Sequence, residues 1–256
     1  MISIITPTLN EERSLPSLLN AIRQQTEDHE VIVVDGGSQD RTVDIARDNR
    51  ARTLISRPGR GTALCLGAAN SSGEVLLFLH ADSTLQPEAL DRVAEVLSTD
   101  AKIISGNFRL VFDGDTCFSR RLTRFRALIR ALGHYYGDSD IFVRRFVYDA
   151  LGGFRPIPVT EDMEFVRRLQ WFRPTTCIKH PPLITSSRRF EERRSSASLQ
   201  TGSRKSIRRR LNIIFSLAKA SAPCTAICKE SEFRRMDSRS KLFLQRSAPP
   251  NSGRAR

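Results

Sequence analysis

Apolar residues in the first half of the chain fall in short blocks separated by segments of helical spacing. Ile2 to Thr6, Glu30 to Asp35, Arg52 to Ser56 and Val75 to His80 are mostly apolar runs, which predict strands covered on both faces. Between the first two, Leu15, Leu18, Leu19 and Ile22 recur at helical spacing, with Ser14 in the cap position and Pro16 in the first turn. Val43, Ile45 and Ala46 outline a weaker helix, and Leu90, Val93, Ala94 and Leu97 share one face after Pro87. Strands alternating with helices in this way predict an α/β fold with a mostly parallel central sheet flanked by helices.

The second half is less regular. Ile103 to Phe112 alternates imperfectly and predicts a longer strand, followed by an Arg-rich amphipathic helix over Phe118 to Leu132. The apolar side of that helix is expected to hold Leu122, Phe125, Leu128, Ile129 and Leu132. Ile141 to Arg145 predicts another strand, Gly152-Gly153 a break, and Glu161 to Trp171 a helix buried through Phe165 and Leu169. After Ser187 the periodicity decays into Arg and Ser, so much of Ser195 to Arg256 is expected to be disordered. The expected organisation is one domain over 1–190 and a basic tail over 191–256, with a short amphipathic helix near 207–220.

Charge sharpens that division. The chain of 256 residues carries a net charge of +13, yet residues 1–187 hold 23 basic and 23 acidic side chains, and residues 188–256 hold 18 and 5. A domain that binds nucleic acid ordinarily carries its basic stripe on the folded part, so the neutral first part argues against that partner. The length allows a sizeable core without disulfides. Five scattered cysteines suit a reducing cytosol, and Cys224 with Cys228 lacks a second pair at zinc-site spacing. The apolar opening Met1 to Ile5 has no basic flank, and no apolar run reaches about 18 residues, so neither a signal peptide nor a membrane span is expected. The expected location is cytoplasmic, with peripheral placement at the inner face of the plasma membrane as the alternative.

In an open α/β sheet, ligands bind at the carboxyl ends of strands. Three segments stand there: Pro7-Thr8-Leu9-Asn10-Glu11-Glu12, Asp35-Gly36-Gly37-Ser38-Gln39-Asp40, and His80-Ala81-Asp82. Each alone has an ordinary explanation as a turn or helix cap. Glu161 and Asp162 after Thr160 likewise suit a helix start without any function. Arg60, between Gly59 and Gly61, reads equally as a solvated loop arginine, and the spacing matches neither a dinucleotide fingerprint nor a phosphate loop.

Taken together and in this order, the segments PTLNEE, VIVVDGGSQDRT, RPGRGTALCLGAA, FLHADS, GDSDIFVRR, LGGF and TEDMEF resemble the family-2 glycosyltransferases, nucleotide-sugar enzymes of the GT-A fold. The likeness runs from Met1 to about Arg189, and HAD with TSSRRFE is similar to a bacterial arsenosugar-biosynthesis-type subgroup. The resemblance implies that Asp35 accepts from a uridine ring N–H, with Pro7, Thr8 and Glu11 lining the same pocket. It implies that Arg60 meets the nucleotide or its diphosphate, and that His80-Ala81-Asp82 stands for the family's D-x-D. Asp82 would then ligate Mg²⁺ or Mn²⁺, Ala81 would border the nucleotide sugar, and His80 would meet the metal, a ribose or a water. Asp162 matches the general base and Glu161 an acceptor-orienting residue; Arg188 and Arg189 could reach the diphosphate, and Asp138 and Asp140 the acceptor side. Cys65 stands where relatives commonly have Asn. The implied activity is an inverting, metal-dependent transfer from a nucleotide-sugar donor, UDP-linked, to a hydroxyl acceptor that is a small molecule or a lipid.

The tail supports a second reading. Arg204 to Arg210 holds five basic residues and leads into Leu211, Ile213, Ile214, Phe215 and Leu217, the pattern of a basic interfacial helix. On that reading the chain is an electrostatic binder of anionic membrane or nucleic acid with a degenerate transferase domain. Family members continue past TSSRR with apolar helical sequence, whereas this chain turns Arg/Ser-rich, as a divergent tail or an out-of-frame reading would.

Overall fold

The computed structural model describes residues 1–114, 116–131, 140–155, 161–172 and 175–186. The chain divides into two units, Met1–Arg193 and Arg194–Arg256, and every described residue belongs to the first. The expected features of the tail, including the helix near 207–220, lie outside the described residues.

Eight strands form one sheet in the order β3-β2-β1-β4-β7-β6-β8-β5. The strands are β1 (Ile2–Thr8), β2 (His29–Asp35), β3 (Arg52–Ile55), β4 (Val75–Phe78), β5 (Ser83–Thr84), β6 (Ser105–Phe112), β7 (Ile141–Arg144) and β8 (Thr176–Thr185). The first four run parallel, with Thr8 beside Asp35 and Ile5 beside Phe78. β7 is antiparallel to both β4 and β6, and β8 is parallel to β6. The fold is therefore α/β with a mainly parallel central sheet, as the apolar blocks predict. Neighbouring residues along β1, β2 and β4 alternate between two core clusters, one holding Ile4, Val33 and Leu77 and the other Ile5, Val34 and Phe78, whereas β3 leaves Arg52 and Ile55 exposed and so is not covered on both faces as its apolar run predicts. Burial on both faces explains why β1, β2 and β4 read as continuous apolar runs.

Helices α1 (Leu15–Arg23) and α4 (Ala89–Thr99) feed Leu18 and Leu90 into the first cluster. Ser14 occupies the α1 cap position, but its side chain makes no capping bond. The weak middle helix forms as α2 (Thr42–Asp48), and the Arg-rich helix as α5 (Cys117–Ala131). On the other face, α3 (Arg60–Ala69) and α7 (Glu161–Phe172) contribute Leu64 and Phe165.

Four elements are not evident from the pattern. α3 buries only Gly61, Ala63, Leu64, Gly67 and Ala68, β8 carries Pro181-Pro182 at its centre, and β5 is two residues long. The fourth, α6 (Arg145–Ala150), opens at Arg145, which the pattern assigns to the end of β7. The Arg145 guanidinium donates to the carbonyls of Gly73 at 2.6 Å and Ala68 at 3.2 Å and to the Ser71 hydroxyl at 2.7 Å, closing the C-terminus of α3.

Candidate active site

The carboxyl ends of β1 and β2 are tied together by their own polar residues. Asp35 is buried, with its Oδ2 accepting from the backbone N–H groups of Gly37 at 2.9 Å and Ser38 at 2.8 Å. Its Oδ1 accepts from the hydroxyls of Thr8 at 3.2 Å and Ser38. A carboxylate has about four acceptor positions, so all are engaged, and a ligand N–H would take the place of the rotatable Ser38 hydroxyl. Gly37, at φ +100°, holds a left-handed turn that a side chain would strain.

Beyond Asp35 the two loops are stitched reciprocally. The backbone N–H groups of Asn10, Glu11 and Glu12 donate to Ser38 Oγ, Thr42 Oγ1 and Asp40 Oδ2 at 2.8, 2.8 and 3.1 Å, and Gln39 N donates to Asn10 Oδ1 at 2.9 Å. Ser38, Asp40 and Thr42 thus fix the loop that follows Pro7 and Thr8 of β1 and carries Glu11. Sequence reasoning missed this role; the signal was the run of polar residues after the Gly-Gly pair.

The pocket itself opens beside this pair of loops. It holds about 250 Å³ of empty space, part of it open to solvent, lined by Pro7, Arg60, Leu64, Phe78, Leu79, His80, Ile141, Phe154 and Asp162. Arg60 is the first residue of α3, not a solvated loop residue. Its Nε lies 2.5 Å from Glu161 Oε1, its Nη2 2.6 Å from Asp162 Oδ2, and its Nη1 3.4 Å from His80 Nε2. Burial opposes the guanidinium charge, but the Asp162 and Glu161 carboxylates outweigh it and hold the Arg60 pKa above its ordinary value.

Gly61 permits this approach, since a Cβ there would lie 3.3 Å from Glu161 Cγ and 3.2 Å from the Arg155 carbonyl. Asp162 Oδ1 accepts from the Met163 N–H at 2.7 Å, and its side chain keeps 13% of its surface exposed against 5% for Glu161. Glu161 is thus turned onto Arg60 and buried.

Aromatic packing from two motifs builds the wall behind these charges. Phe154 of LGGF meets Phe78 edge-on at 4.8 Å and Phe165 of TEDMEF at 4.6 Å. Arg168 Nη2 donates to Glu164 Oε2 at 2.7 Å and to the Gly153 carbonyl at 2.6 Å, pinning α7 to the Gly152-Gly153 turn.

His80 is placed from below. Asp140, fully buried and at φ 44°, accepts the His80 backbone N–H at 2.9 Å, and its Oδ1 lies 4.0 Å from His80 Nε2. Asp140 therefore supports His80, a contact hidden in the sequence because β7 follows β4 by more than 60 residues. Ala81 is buried, and Asp82 follows it half-buried before β5. Arg188, Arg189 and Asp138 lie outside the described residues.

Among the described residues no group of three or more His, Cys, Asp or Glu side chains is gathered to cage a metal ion. Mg²⁺ is commonly held by one or two carboxylates together with ligand phosphates and water. Asp82, two residues after the pocket-lining His80 and not itself among the lining residues, offers a single carboxylate, which fits that mode and does not fit an all-protein cage.

Residues 3–152 match the family described as Glycosyl transferase family 2. This chain belongs to glycosyl transferase family 2. It is 31% identical over 205 residues, 72% of either chain, to a PGL/p-HBAD biosynthesis glycosyltransferase of Mycobacterium bovis. Its fold is GT-A-like: it matches S. aureus TarS 1–349 in complex with UDP at a TM-score of 0.60 and 19% identity, covering 72% of this chain and 60% of that one. Glucosyl-3-phosphoglycerate synthase from Mycobacterium tuberculosis, in complex with Mn²⁺, UDP and glucosyl-3-phosphoglycerate, matches at 0.55 and 23% identity, covering 73% of this chain and 70% of that one. The chain thus spans about 60% of the TarS fragment. No helix among the described residues is long and apolar enough to cross a membrane.

Proposed function

We propose that this glycosyltransferase moves a sugar from a UDP-linked donor to a hydroxyl acceptor with inversion, using Asp162 as the general base. The observation that carries the reading is the pocket at the carboxyl ends of β1 and β4, where Asp162 and Arg60 meet Pro7 and His80. TarS and glucosyl-3-phosphoglycerate synthase, which share the fold, are seen with UDP, and the second with Mn²⁺ as well.

Asp162 is oriented by two donors, Arg60 on Oδ2 and the Met163 N–H on Oδ1, and it is the more open of the two acidic residues. It takes the proton of the acceptor hydroxyl as that oxygen bonds to the anomeric carbon and the bond to the nucleotide diphosphate breaks. Attack from the face opposite the leaving group inverts the centre. A carboxylate suffices because proton transfer can lag behind bond cleavage in an oxocarbenium-like transition state. Asp35, Thr8 and Pro7 border the uridine, with Glu11 in the same loop and Ala81 beside the sugar. Arg60 would meet the diphosphate, and Arg188 and Arg189, outside the described residues, are assigned to it by the family likeness alone. Asp82, seconded by His80, would hold a Mg²⁺ or Mn²⁺ that neutralises charge on the departing diphosphate.

HAD and TSSRRFE support placement in the arsenosugar-biosynthesis-type subgroup, the scattered cysteines support a cytoplasmic enzyme, and the neutral first part argues against a nucleic-acid acceptor. The domain boundary near residue 190 belongs to the same proposal.

The test is Asp162→Asn, assayed with a donor and acceptor found by screening nucleotide sugars against hydroxyl compounds. UDP affinity is expected to stay nearly unchanged while turnover falls by about 10²–10⁴-fold. Turnover close to that of the unaltered enzyme would remove Asp162 from the role of base.

A further inference from the structure

Helix α5 carries a surface that the transfer reaction does not use. It contains five arginines, Arg120, Arg121, Arg124, Arg126 and Arg130, and no acidic residue. Its inner side is well anchored: Leu122 packs on the core, Thr123 Oγ1 accepts the Phe112 N–H at 3.0 Å, and Arg130 Nη2 donates to the Thr176 carbonyl at 3.0 Å. The expected apolar side is therefore split. Phe125 and Leu128 remain 55% and 57% exposed, on the same outward stripe as Arg121 and Arg124.

A ring and a leucine set among guanidinium groups match the chemistry of an anionic lipid surface. The apolar groups enter the boundary between headgroups and acyl chains, while arginine stems reach back to the phosphates. The chain's own tail is a poor occupant, because residues 188–256 hold 18 basic and 5 acidic side chains and would bring like charge to Arg121 and Arg124. We propose that α5 is a peripheral docking surface for an anionic membrane, lying in the headgroup plane on its Arg121, Arg124, Phe125 and Leu128 side.

The docking itself does not depend on the transfer reading, since it is measured without donor or acceptor.

The experiment is co-sedimentation of the full chain with vesicles of phosphatidylcholine alone and of about seven parts phosphatidylcholine to three parts phosphatidylglycerol, at low and high salt. Binding is expected only with phosphatidylglycerol. Phe125→Ser with Leu128→Ser, and separately Arg121→Gln with Arg124→Gln, are expected to weaken it about tenfold at an unchanged melting temperature. Arg208→Gln, Arg209→Gln and Arg210→Gln together are expected to leave a component that still requires Phe125 and Leu128. In a Trp171→Phe background, where no other tryptophan remains, Phe125→Trp is expected to shift its emission to the blue on vesicle binding. The proposal is overturned if neither vesicle binds, if only the tail variant reduces binding, if Trp emission at position 125 is unmoved, or if the α5 variants lose binding to duplex DNA and not to vesicles.

Discussion

Arg60 joins the two acidic residues at the start of α7 to the first turn of α3, and its removal has a calculable effect. Glu161 is buried and takes the Arg60 Nε–H at 2.5 Å, so Arg60→Met leaves a buried acceptor without that partner. Such a loss costs about 1–3 kcal/mol. Chemical denaturation is expected to show a destabilisation of that order, and adding Glu161→Gln is expected to recover part of it; strictly additive losses would mean the pair is uncoupled. At this scale the sequence offered candidates for the site and said little about their contacts. Asp35, Asp82 and Asp162 were marked by their positions after strands and at a helix start. The Arg60–Glu161 contact spans 101 residues of chain, and nothing local to either residue announces it.

Elements were legible where burial imposed a simple period. β1, β2 and β4 are buried on both faces and read as apolar blocks, and α1 and α4 each carry one clean apolar stripe. α3 escaped because its inner face must be small: a Cβ on Gly67 would lie 2.4 Å from Ile5 Cγ2 and 3.1 Å from Val34 Cγ2. Gly67→Ala is expected to push α3 off the sheet and destabilise the protein by about 1–3 kcal/mol, read from its denaturation midpoint; a stabilised variant would show that the helix gives way freely. β8 escaped because prolines and a Lys-His pair interrupt its apolar run, tolerable because Lys179 to Pro182 fall in the break of register between the Ile178–Phe108 and Leu183–Leu110 pairs.

A second prediction at this scale concerns acid. Glu30 on β2 accepts hydrogen bonds from the Ser3 hydroxyl at 2.6 Å and from the backbone N–H groups of Ser72 at 2.5 Å and Gly73 at 3.2 Å, joining β1, β2 and the approach to β4. Burial pushes its carboxyl pKa up, but these bonds outweigh it and hold the pKa below the ordinary 4.5. A depressed carboxylate contributes stability that is fully present above its unfolded value and is lost as pH falls through the folded one. Melting temperature is therefore expected to drop more steeply below pH 4.5 in the parent than in Glu30→Gln, and parallel acid limbs would exclude Glu30 as a source.

At the scale of the molecule, the charge division along the chain and the position of the pocket point to separate tasks. Residues 1–187 are balanced in charge and hold the pocket, while the basic excess lies wholly beyond them. The pocket is built from the ends of β1 and β4, the start of α3 and the start of α7, so its residues come from positions 7 to 162 and form only when the sheet is complete. That assembly is why the motifs, each unremarkable alone, acquired meaning only as an ordered set.

Whether the assembled pocket takes a nucleoside diphosphate together with a divalent ion is read most directly by isothermal titration of UDP into the full chain, with and without Mn²⁺, beside the same titrations of Asp82→Ala. UDP is expected to bind the parent severalfold more tightly when Mn²⁺ is present, and Asp82→Ala is expected to lose that increment while keeping the metal-free affinity. No UDP binding in either condition, or equal affinity in parent and variant whatever the metal, would contradict a metal-assisted nucleotide-sugar site at this pocket.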